Sequence, residues 1–561
     1  MDRRGSLVLL AVLAVGAFLA GLELMITAVA LPAILSDLAS WRDLRRASWI
    51  INGYLLVSVV TMPLAGRLAD LWGARRLFLG ALAVFVLGSF LAASAQSLDQ
   101  LLAARLVQAV GGGALVPVAT AAASHLFAGT ARPRALGVVG ALTFLGMAAG
   151  PFLGAAILEA VHVEPALAAR GIVAGPLVEL LAPAWRWVFY LNVPIGIVGL
   201  VSAWAVSPGW ETPRRPARPD VAGGLLVSLA LGAGLVGLTL VDDALPERLL
   251  DPAYPPVALL VVSAGALAVA VRHGLRGRDP FLDVRLLGDR VFGSATLVSF
   301  LTGYAFATAI IGGAVFVDRV LYGGPDSQRF VLGALGGATA VGALVAGFLV
   351  RQLSLRLVTL GGLLASAVAL GSMATWNTGT PIEAVAGALA VFGFGFGLTV
   401  TPRSTAALET AGQAAFGIAS ATVTVARMIG MAVGLAVLTA WGSTTIERLS
   451  AQVYATPEAF RQFIPADLRG RPLRDPLVVA ALERWAAGEA ARVLVGVFLV
   501  AGVVTLVALP PGLALGAGTG RTGILEGDRT VPQGRRGAGA DETTMSEPTH
   551  ERADPGSGPT A

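Results

Sequence analysis

Long apolar runs recur through most of the chain, and they constrain its fold more than any other feature. Each run is near or above the roughly 20 residues that a helix needs to cross a bilayer. The fourteen runs cover residues 7–35, 47–69, 76–96, 99–127, 134–160, 186–207, 221–241, 256–273, 291–317, 328–350, 356–376, 382–402, 413–442 and 490–512. We therefore predict an all-α polytopic membrane protein with about 14 transmembrane helices.

The composition agrees with a membrane protein and excludes several kinds of chemistry. Only 13% of the 561 residues are charged, against about 25% in soluble domains. The chain has no cysteine, and the 40 positions counted as lysine or arginine are all arginine. It therefore lacks the groups that Walker-type phosphate loops, Schiff bases, catalytic thiols and cysteine-ligated metals require. The arginines are scattered through short loops, which indicates membrane topology rather than nucleic-acid binding. We expect no metal site and no cofactor.

The two halves of the apolar region resemble each other. Gly137–Ala160 and Gly417–Ala440 share seven of 24 positions at an offset of 280. At an offset of 281, Gly66, Leu68, Arg75 and Gly80 correspond to Gly347, Leu349, Arg356 and Gly361. At an offset of 285, Gly112 and Pro117 correspond to Gly397 and Pro402. A duplicated bundle with its site between the repeats is the general plan of secondary transporters. We predict a six-helix half at 1–207, a two-helix linker at 208–285, a second six-helix half at 286–512 and a disordered tail at 513–561.

A glycine ladder marks the fifth run of the first half. Gly146, Gly150 and Gly154 recur every fourth residue, so they share one helix face on which another helix can approach closely. Pro151 lies inside the same run, where it bends the helix or removes a backbone hydrogen bond.

Arginine counting in the short loops predicts that both termini are cytoplasmic. Two longer segments, 161–185 and 443–489, then lie outside. Asp475-Pro476 resembles a helix start, and the helix that follows to Leu509 would measure about 50 Å against a bilayer core of about 30 Å. We therefore predict that the last helix protrudes outside the membrane.

A glycine-rich basic loop follows the second run, with the sequence GRLADLWGARR at residues 66–76. It resembles the signature loop of the major facilitator superfamily through Gly66, Asp70, Gly73, Arg75 and Arg76. The resemblance implies that Asp70 caps helix ends and pairs with arginines across the interface between the halves, which biases the side that is open. A plain basic loop is the alternative. The second copy carries Arg351 at the position of Asp70, so a matching gate is not expected there.

Further motifs resemble the fourteen-helix drug:proton antiporter branch of that superfamily. They are LELMITAVALP at 22–32, WRWVFYLNVPIG at 185–196, Arg105 with Gln108 as an RxxQ motif, and GMAAGPFLGA at 146–155, which departs from the antiporter motif in its last glycine. The sequence VARMIGMAVGLAVLTAWG at 425–442 and the long segment after it are similar to actinobacterial exporters implicated in triacylglycerol and drug efflux.

Ionisable residues inside the apolar runs are candidates for coupling, because a charge at mid-bilayer is costly and usually functional. Glu23 lies near the middle of the first helix, where the branch has aspartate, and a buried carboxylate suits a site loaded with a proton on one side and emptied on the other. Arg427 lies 14 residues into its helix, and the equivalent position in the first repeat is Met147. We hypothesise that Arg427 pairs with Glu159 or Glu23 in one conformation only. Static ion pairs, and a structural Arg105 bound to backbone carbonyls, are the alternatives.

These features predict a proton-coupled exporter of hydrophobic solutes in a bacterial inner membrane, driven by the proton gradient and working as a monomer. Its cavity walls should be leucine, valine, phenylalanine and methionine with few polar residues. The alternatives are a dedicated triacylglycerol exporter that delivers to an external lipid-binding lipoprotein, a scramblase or receptor without proton coupling, and an intramembrane enzyme. The enzyme is disfavoured because the chain has no GxSxG elbow. The expected partners are lipids or lipophilic small molecules, and no nucleic acid.

Overall fold

The chain folds into a bundle of long helices. A computed structural model describes residues 3–38, 44–47, 49–206, 210, 220–241, 248, 251, 253–277, 280–281, 284–438, 458, 461–472 and 474–515. Within these residues, 14 helices are long and apolar enough to cross a membrane. The predicted all-α polytopic fold is confirmed, whereas the tail from 516 onward and most of 443–460 lie outside the described residues.

The helices fall into two groups of six separated by two. The first six are α1 (Arg3–Leu38), α2 (Trp49–Trp72), α3 (Ala74–Ala93), α4 (Leu98–Leu126), α5 (Ala131–Ala160) and α6 (Ala184–Val206). Next come α7 (Val221–Thr239) and α8 (Pro255–Arg276). The last six are α9 (Arg290–Arg319), α10 (Pro325–Leu349), α11 (Leu355–Met373), α12 (Ile382–Ala411), α13 (Phe416–Val437) and α14 (Pro476–Val507).

Short polar side chains define where several helices begin. Ser97 accepts a hydrogen bond from the backbone N–H of Gln100 at 3.3 Å, and Asp289 accepts from Val291 and Phe292 at 2.9 and 3.0 Å. These contacts satisfy first-turn N–H groups that have no partner within a helix.

The two halves use the same helix pairings. In the first half α1 packs on α5 and α4 packs on α2 and α3; in the second half α9 packs on α13 and α12 packs on α10 and α11. Across the interface, α2 packs on α13 and α5 packs on α10. The pattern that the sequence repeats predict is therefore present in the packing. Helix α7 also contacts α2 and α13, so the linker covers one of the two junctions between the halves.

The glycine ladder of α5 receives α1. A methyl group at Gly150 would lie 2.8 Å from Met25 Cβ, and one at Gly154 would lie 3.1 Å from Ile26 Cγ1. At Gly146 it would overlap the backbone carbonyl oxygen of Phe18. The predicted close approach of a neighbouring helix is confirmed, and α5 continues as a helix through Pro151.

One predicted boundary is wrong. The apolar run that the sequence analysis ends at residue 402 continues as helix α12 to Ala411, with Pro402 inside it. Proline is tolerated within a membrane helix where neighbouring helices and side chains satisfy the freed backbone groups. Pro117, its counterpart in the repeat, likewise lies inside α4. Arg403 therefore lies buried within helix α12 and not in a loop.

We call the bundle end that carries the α2–α3 loop the Asp70 end, and the other the Glu159 end. At the Glu159 end, α14 begins at the cap Asp475, whose side chain accepts from the Leu477 N–H at 2.9 Å, as predicted. Its 32 residues measure about 48 Å. Ile464 and Leu468 pack against the first turns of α14 at Val478 and Leu482.

Candidate functional site

A fully buried hydrogen-bond network surrounds Glu23 in the first half. The Arg105 guanidinium forms an ion pair with Glu23, and these side chains are 1% and 0% exposed. Thr27 Oγ1 donates to Glu23 Oε1 at 2.9 Å, and Asn192 Nδ2 donates to Glu23 Oε2 at 2.6 Å. Side chains from three helices, α1, α4 and α6, thus surround one carboxylate. The charge of Glu23 is compensated within its own half.

Arg105 also holds neighbouring groups in place. Its Nε donates to the Ile50 backbone carbonyl at 3.1 Å, and its Nη1 donates to Gln108 Oε1 at 2.6 Å. Gln108 Nε2 in turn donates to Ser89 Oγ at 2.8 Å. Its guanidinium carbon lies 4.2 Å from the centre of the Tyr54 ring. Arg105 therefore combines the ion pair with the backbone contact that the sequence analysis gives as its alternative role.

Two members of this network were missed by the sequence analysis. Asn192 lies inside the sequence motif at residues 185–196, but nothing in a single apolar sequence shows that its amide points at Glu23. Its Oδ1 is buried and has no hydrogen-bond partner in the described part of the chain. Tyr54 reads as an ordinary aromatic residue of α2. A polar amide inside an otherwise apolar run is the signal that could have drawn attention to Asn192.

Two small cavities lie between the halves, and Arg427 lines both. One, which we call the central cavity, measures about 40 Å³ and is lined by Val116, Thr120, Leu136, Val139, Gly140, Thr143, Phe144, Val400, Thr401, Ser404, Thr424 and Arg427. The second, about 30 Å³, reaches Tyr54 and Arg427. The expectation of walls with few polar residues is wrong for the first cavity, because threonine and serine hydroxyls are interleaved with its apolar residues. Tyr54 separates the Glu23 network from the Arg427 cavities.

Arg427 and Glu159 are apart in this structure. Arg427 is 8% exposed, and its guanidinium lies 5.3 Å from the Phe144 ring. Glu159 is exposed and follows Phe144 by 15 residues in α5, which is about 22 Å along a straight helix. Glu23 is held by Arg105. The structure therefore brings Glu23, Arg105 and Gln108 together, and it brings neither carboxylate to Arg427.

A second arginine, Arg403, lies near Arg427 and was missed because the sequence analysis ended its helix at 402. It is 1% exposed, its Nη1 donates to Thr302 Oγ1, and its guanidinium carbon lies 5.3 Å from the Phe396 ring. No carboxylate of the described residues forms an ion pair with either arginine.

Asp70 joins the halves at the Asp70 end. Its Oδ1 and Oδ2 accept hydrogen bonds from the backbone N–H groups of Gly417 and Ile418 at 2.7 and 2.9 Å. These are first-turn groups of α13, where a negative charge also interacts favourably with the helix dipole. Gly66, one turn earlier in α2, lets α13 approach: a methyl group there would lie 2.5 Å from the Gly417 carbonyl oxygen.

The rest of the signature loop shapes the turn. Gly73 has a φ of 93° between α2 and α3, a conformation that favours glycine. Arg75 and Arg76 follow in the first turn of α3, half-buried and exposed respectively. Phe416, the first residue of α13, contacts two residues of the first half. Its ring centre lies 5.1 Å from the Arg132 guanidinium carbon and 4.8 Å from the His125 ring centre.

An open groove runs between α5 and α10 on the side that α7 does not cover. It measures about 500 Å³ and is lined mainly by apolar or small residues, among them Leu145, Phe152 and Phe330. Asp326 and Arg329 form an ion pair at 2.8 Å at its Glu159 end.

Two duplicated six-helix halves that meet around a central cavity, with a buried ion pair beside it, define a secondary membrane transporter. The chain belongs to the Major Facilitator Superfamily, which its residues 13–435 match.

The chain is also similar to several curated proteins over most of its length. The chain is 34% identical over 446 residues to a triacylglyceride transporter of Mycolicibacterium hassiacum, covering 77% of this chain and 78% of the relative. It is 32% identical to a triacylglyceride transporter of Mycolicibacterium smegmatis (71% and 69% covered) and 31% identical to one of Mycobacterium tuberculosis (74% and 78% covered).

Solved structures agree on the fold. The human organic anion transporter MFSD10 matches with a TM-score of 0.57 at 16% identity, covering 90% of this chain and all of that one. A bacterial homologue of the human lysosomal transporter Spinster, in an inward-facing conformation, matches with a TM-score of 0.53 at 16% identity, covering 92% and 99%. At these identities the likeness concerns the fold alone.

Proposed function

We propose that this protein exports lipids, triacylglycerides first among them, by proton-coupled alternating access. The observation that carries the proposal is the similarity, over more than two thirds of both chains, to relatives named triacylglyceride transporters. The apolar groove between α5 and α10 supports a hydrophobic solute, because it offers a lipid-facing surface of phenylalanine and leucine beside the central cavity.

Proton coupling is assigned to the Glu23 network. Protonation neutralises Glu23 and removes its attraction to Arg105, which leaves a buried cation without a counter-charge. Such an uncompensated charge favours a rearrangement of α1, α4 and α6 around it. Since the network borders the Arg427 cavity through Tyr54, the rearrangement reaches the interface between the halves. The proton gradient is then the energy source, and the cycle needs no cofactor.

Arg427 is the second coupling residue in this proposal. In another conformation it pairs with Glu159 or Glu23, so that proton binding at the carboxylate releases it. Arg427→Ala should then impair export together with Glu23→Gln and Glu159→Gln. If Arg427→Ala exports fully while both glutamate variants fail, the pairing does not occur.

The signature loop serves as the gate at the Asp70 end, which we place in the cytoplasm together with both termini. Asp70 holds α13 while this end is closed, and Gly66 and Gly73 allow the close approach and the turn. In this proposal, Arg75 and Arg76 replace the backbone N–H groups as partners of Asp70 when the halves separate. The protein then lies in the bacterial inner membrane as a monomer.

Delivery to an outer acceptor is assigned to the protruding start of α14. Its first turns are braced by residues 461–468 and extend past a bilayer core of about 30 Å. A small lipophilic drug needs no such extension to leave the membrane, whereas a triacylglyceride passing to an external lipoprotein does. Deleting residues 450–475 should spare dye efflux and impair lipid export; an equal loss of both contradicts the delivery role.

The proposal as a whole is tested in proteoliposomes with an imposed pH gradient. Triacylglycerol and a lipophilic cationic dye are assayed side by side. We expect lipid export that depends on the gradient and stops when an ionophore collapses it. Gradient-independent lipid movement would indicate a scramblase, and transport of the dye alone would indicate a drug exporter.

A further inference from the structure

Within the described residues, the second half buries two arginines that form no ion pair with a carboxylate. Arg403 and Arg427 lie over the rings of Phe396 and Phe144, whose centres are 5.4 Å apart. Their contacts are hydroxyls and aromatic rings: Arg403 with Thr302 and Thr399 Oγ1 (3.5 Å to the latter), and Arg427 with Phe144. Since arginine keeps its proton, neither side chain lowers the cost of its burial by becoming neutral. Burying a cation without a counter-charge is costly. These two arginines therefore favour the binding of an anion.

Buried hydrogen-bond donors that lack an acceptor also indicate that this region can bind one. Arg403 Nε is buried and has no hydrogen-bond partner in the described part of the chain. Two hydroxyls of the same helix pair, Thr405 Oγ1 and Ser420 Oγ, are also buried without partners there. In the first half, Glu23 accepts hydrogen bonds from Thr27, Arg105 and Asn192 and so compensates the buried Arg105.

The adjoining cavity offers groups that bind an oxyanion. Besides Arg427, it is lined by hydroxyls from both halves, namely Thr120, Thr143, Thr401, Ser404 and Thr424. Guanidinium groups and hydroxyls hold carboxylate or phosphate oxygens. In this structure Thr120, Thr143, Thr401 and Thr424 donate to backbone carbonyls, so each donates to an anion only when its hydroxyl turns away from that carbonyl. No aspartate or glutamate lines this cavity. Its volume of about 40 Å³ suits the head of a solute and not an acyl chain.

We propose that this cavity binds the negatively charged oxygens of a carboxylate or phosphate group. Arg427 contacts the anion, and Arg403 lies behind it as a second positive charge. The group belongs either to an amphiphilic lipid anion or to a free small anion, since both present the same chemistry. The inference deepens the proposed transport function, because it adds an anionic head to the class of solutes that the central cavity accepts.

The test is equilibrium binding to the purified full-length protein. Octanoate is compared with methyl octanoate, which has the same chain and no charge, by isothermal titration calorimetry. We expect octanoate to bind about tenfold more tightly or better. Arg427→Gln and Arg403→Gln should each abolish that preference, and Arg427→Lys should retain part of it. Arg319→Gln, at an exposed arginine of α9, is the matched control and should change nothing.

Competition with inorganic phosphate and acetate identifies the source of the anion. Displacement of octanoate by millimolar phosphate or acetate supports a site for free anions, and no displacement supports a lipid anion that needs its chain. Equal affinities for octanoate and its methyl ester overturn the proposal, as does a preference that survives both glutamine variants. Thermal unfolding identifies variants that fail to fold; if Arg403→Gln is one, Arg427→Gln and the double variant Ser404→Ala/Thr424→Val decide the outcome.

Binding is measured without a membrane potential, a pH gradient or transport. A failure of triacylglyceride export therefore leaves this result standing, and a failure of anion binding leaves the lipid export assay to be judged separately.

Discussion

The two halves of the bundle meet through equivalent backbones and differ in their charges. At the Asp70 end, Gly66 of α2 lies against Gly417 of α13, and its repeat partner Gly347 of α10 lies against Gly137 of α5. Both contacts bring helix backbones together without side chains between them. The architecture of the interface is thus duplicated down to the position of single glycines.

The charges are not duplicated. Asp70 binds two backbone N–H groups at the first junction, whereas Arg351 takes its position in the second repeat and is exposed. The first half compensates a buried cation with Glu23, and the second half leaves Arg403 and Arg427 without a carboxylate among the described residues. Shape therefore holds the halves together, while charge makes them unequal. In the proposed transport cycle, the proton and the solute act at these unequal charges.

Removing the carboxylate of the first half should have the largest effect. Glu23→Gln leaves Arg105 as an uncompensated buried cation, so that both halves carry unpaired arginines. Breaking a buried pair costs about 3–5 kcal/mol, and we expect a lower melting temperature together with export at background level in the proteoliposome assay. Glu383→Gln, at an exposed carboxylate of the second half, is the control. Gradient-driven export by Glu23→Gln at the normal rate would contradict the role of this half in coupling.

Weakening the same network without removing its charge should have a smaller effect. Asn192→Leu deletes the donor that lies 2.6 Å from Glu23 Oε2, and hydrogen bonds to charged groups contribute about 1.5–3 kcal/mol. We expect slower gradient-driven export, with an intact fold by size-exclusion chromatography. Ser89→Ala, which removes a group bonded to Gln108 and not to Glu23, should be milder. Equal effects of the two variants would indicate general loosening of the core.

Crowding the junctions tests whether shape holds them. A methyl group at Gly66 would lie 2.5 Å from the Gly417 carbonyl oxygen, and one at Gly347 would lie 2.9 Å from the Pro133 carbonyl oxygen. Overpacking costs about 1–3 kcal/mol, so Gly66→Ala should open the Asp70 end more than Gly347→Ala does. Since the chain has no cysteine, Ser404→Cys in the central cavity can report opening through its labelling rate in inverted vesicles. We expect labelling at least about fivefold faster in Gly66→Ala.

The repeat provides a matched pair of controls for this experiment. Gly80 and Gly361 are equivalent positions on α3 and α11, and a methyl group at either would meet nothing within 4 Å. Their alanine variants should label at the rate of the parent. Faster labelling in these controls would show that the reporter responds to any helix substitution.

The sequence predicts the shape of this interface far better than its charges. Repeated glycines, such as Gly66 with Gly347, mark close helix contacts because only a missing side chain permits them. The partner of a buried polar group depends on helix rotation, which a helix apolar on every face does not reveal. Asn192 and Tyr54 were missed for that reason. Arg403 was missed because the predicted apolar run ends at residue 402, whereas the helix continues through Pro402 just as its repeat counterpart continues through Pro117.

The smallest expected effect concerns the charge at the first junction. Asp70→Asn keeps an oxygen that can accept one N–H group of α13 and loses the negative charge at the start of that helix. Such a charge contributes about 0.3–1 kcal/mol, so Ser404→Cys should label about two- to fivefold faster when Asp70 is replaced. Arg351→Gln, the equivalent change in the other repeat, should leave the labelling rate unchanged because this arginine is exposed and makes no hydrogen bond to a helix start within the described residues. If the two variants label alike, the charge at Asp70 does not distinguish the junctions, and the two pairs of glycines alone keep this end closed.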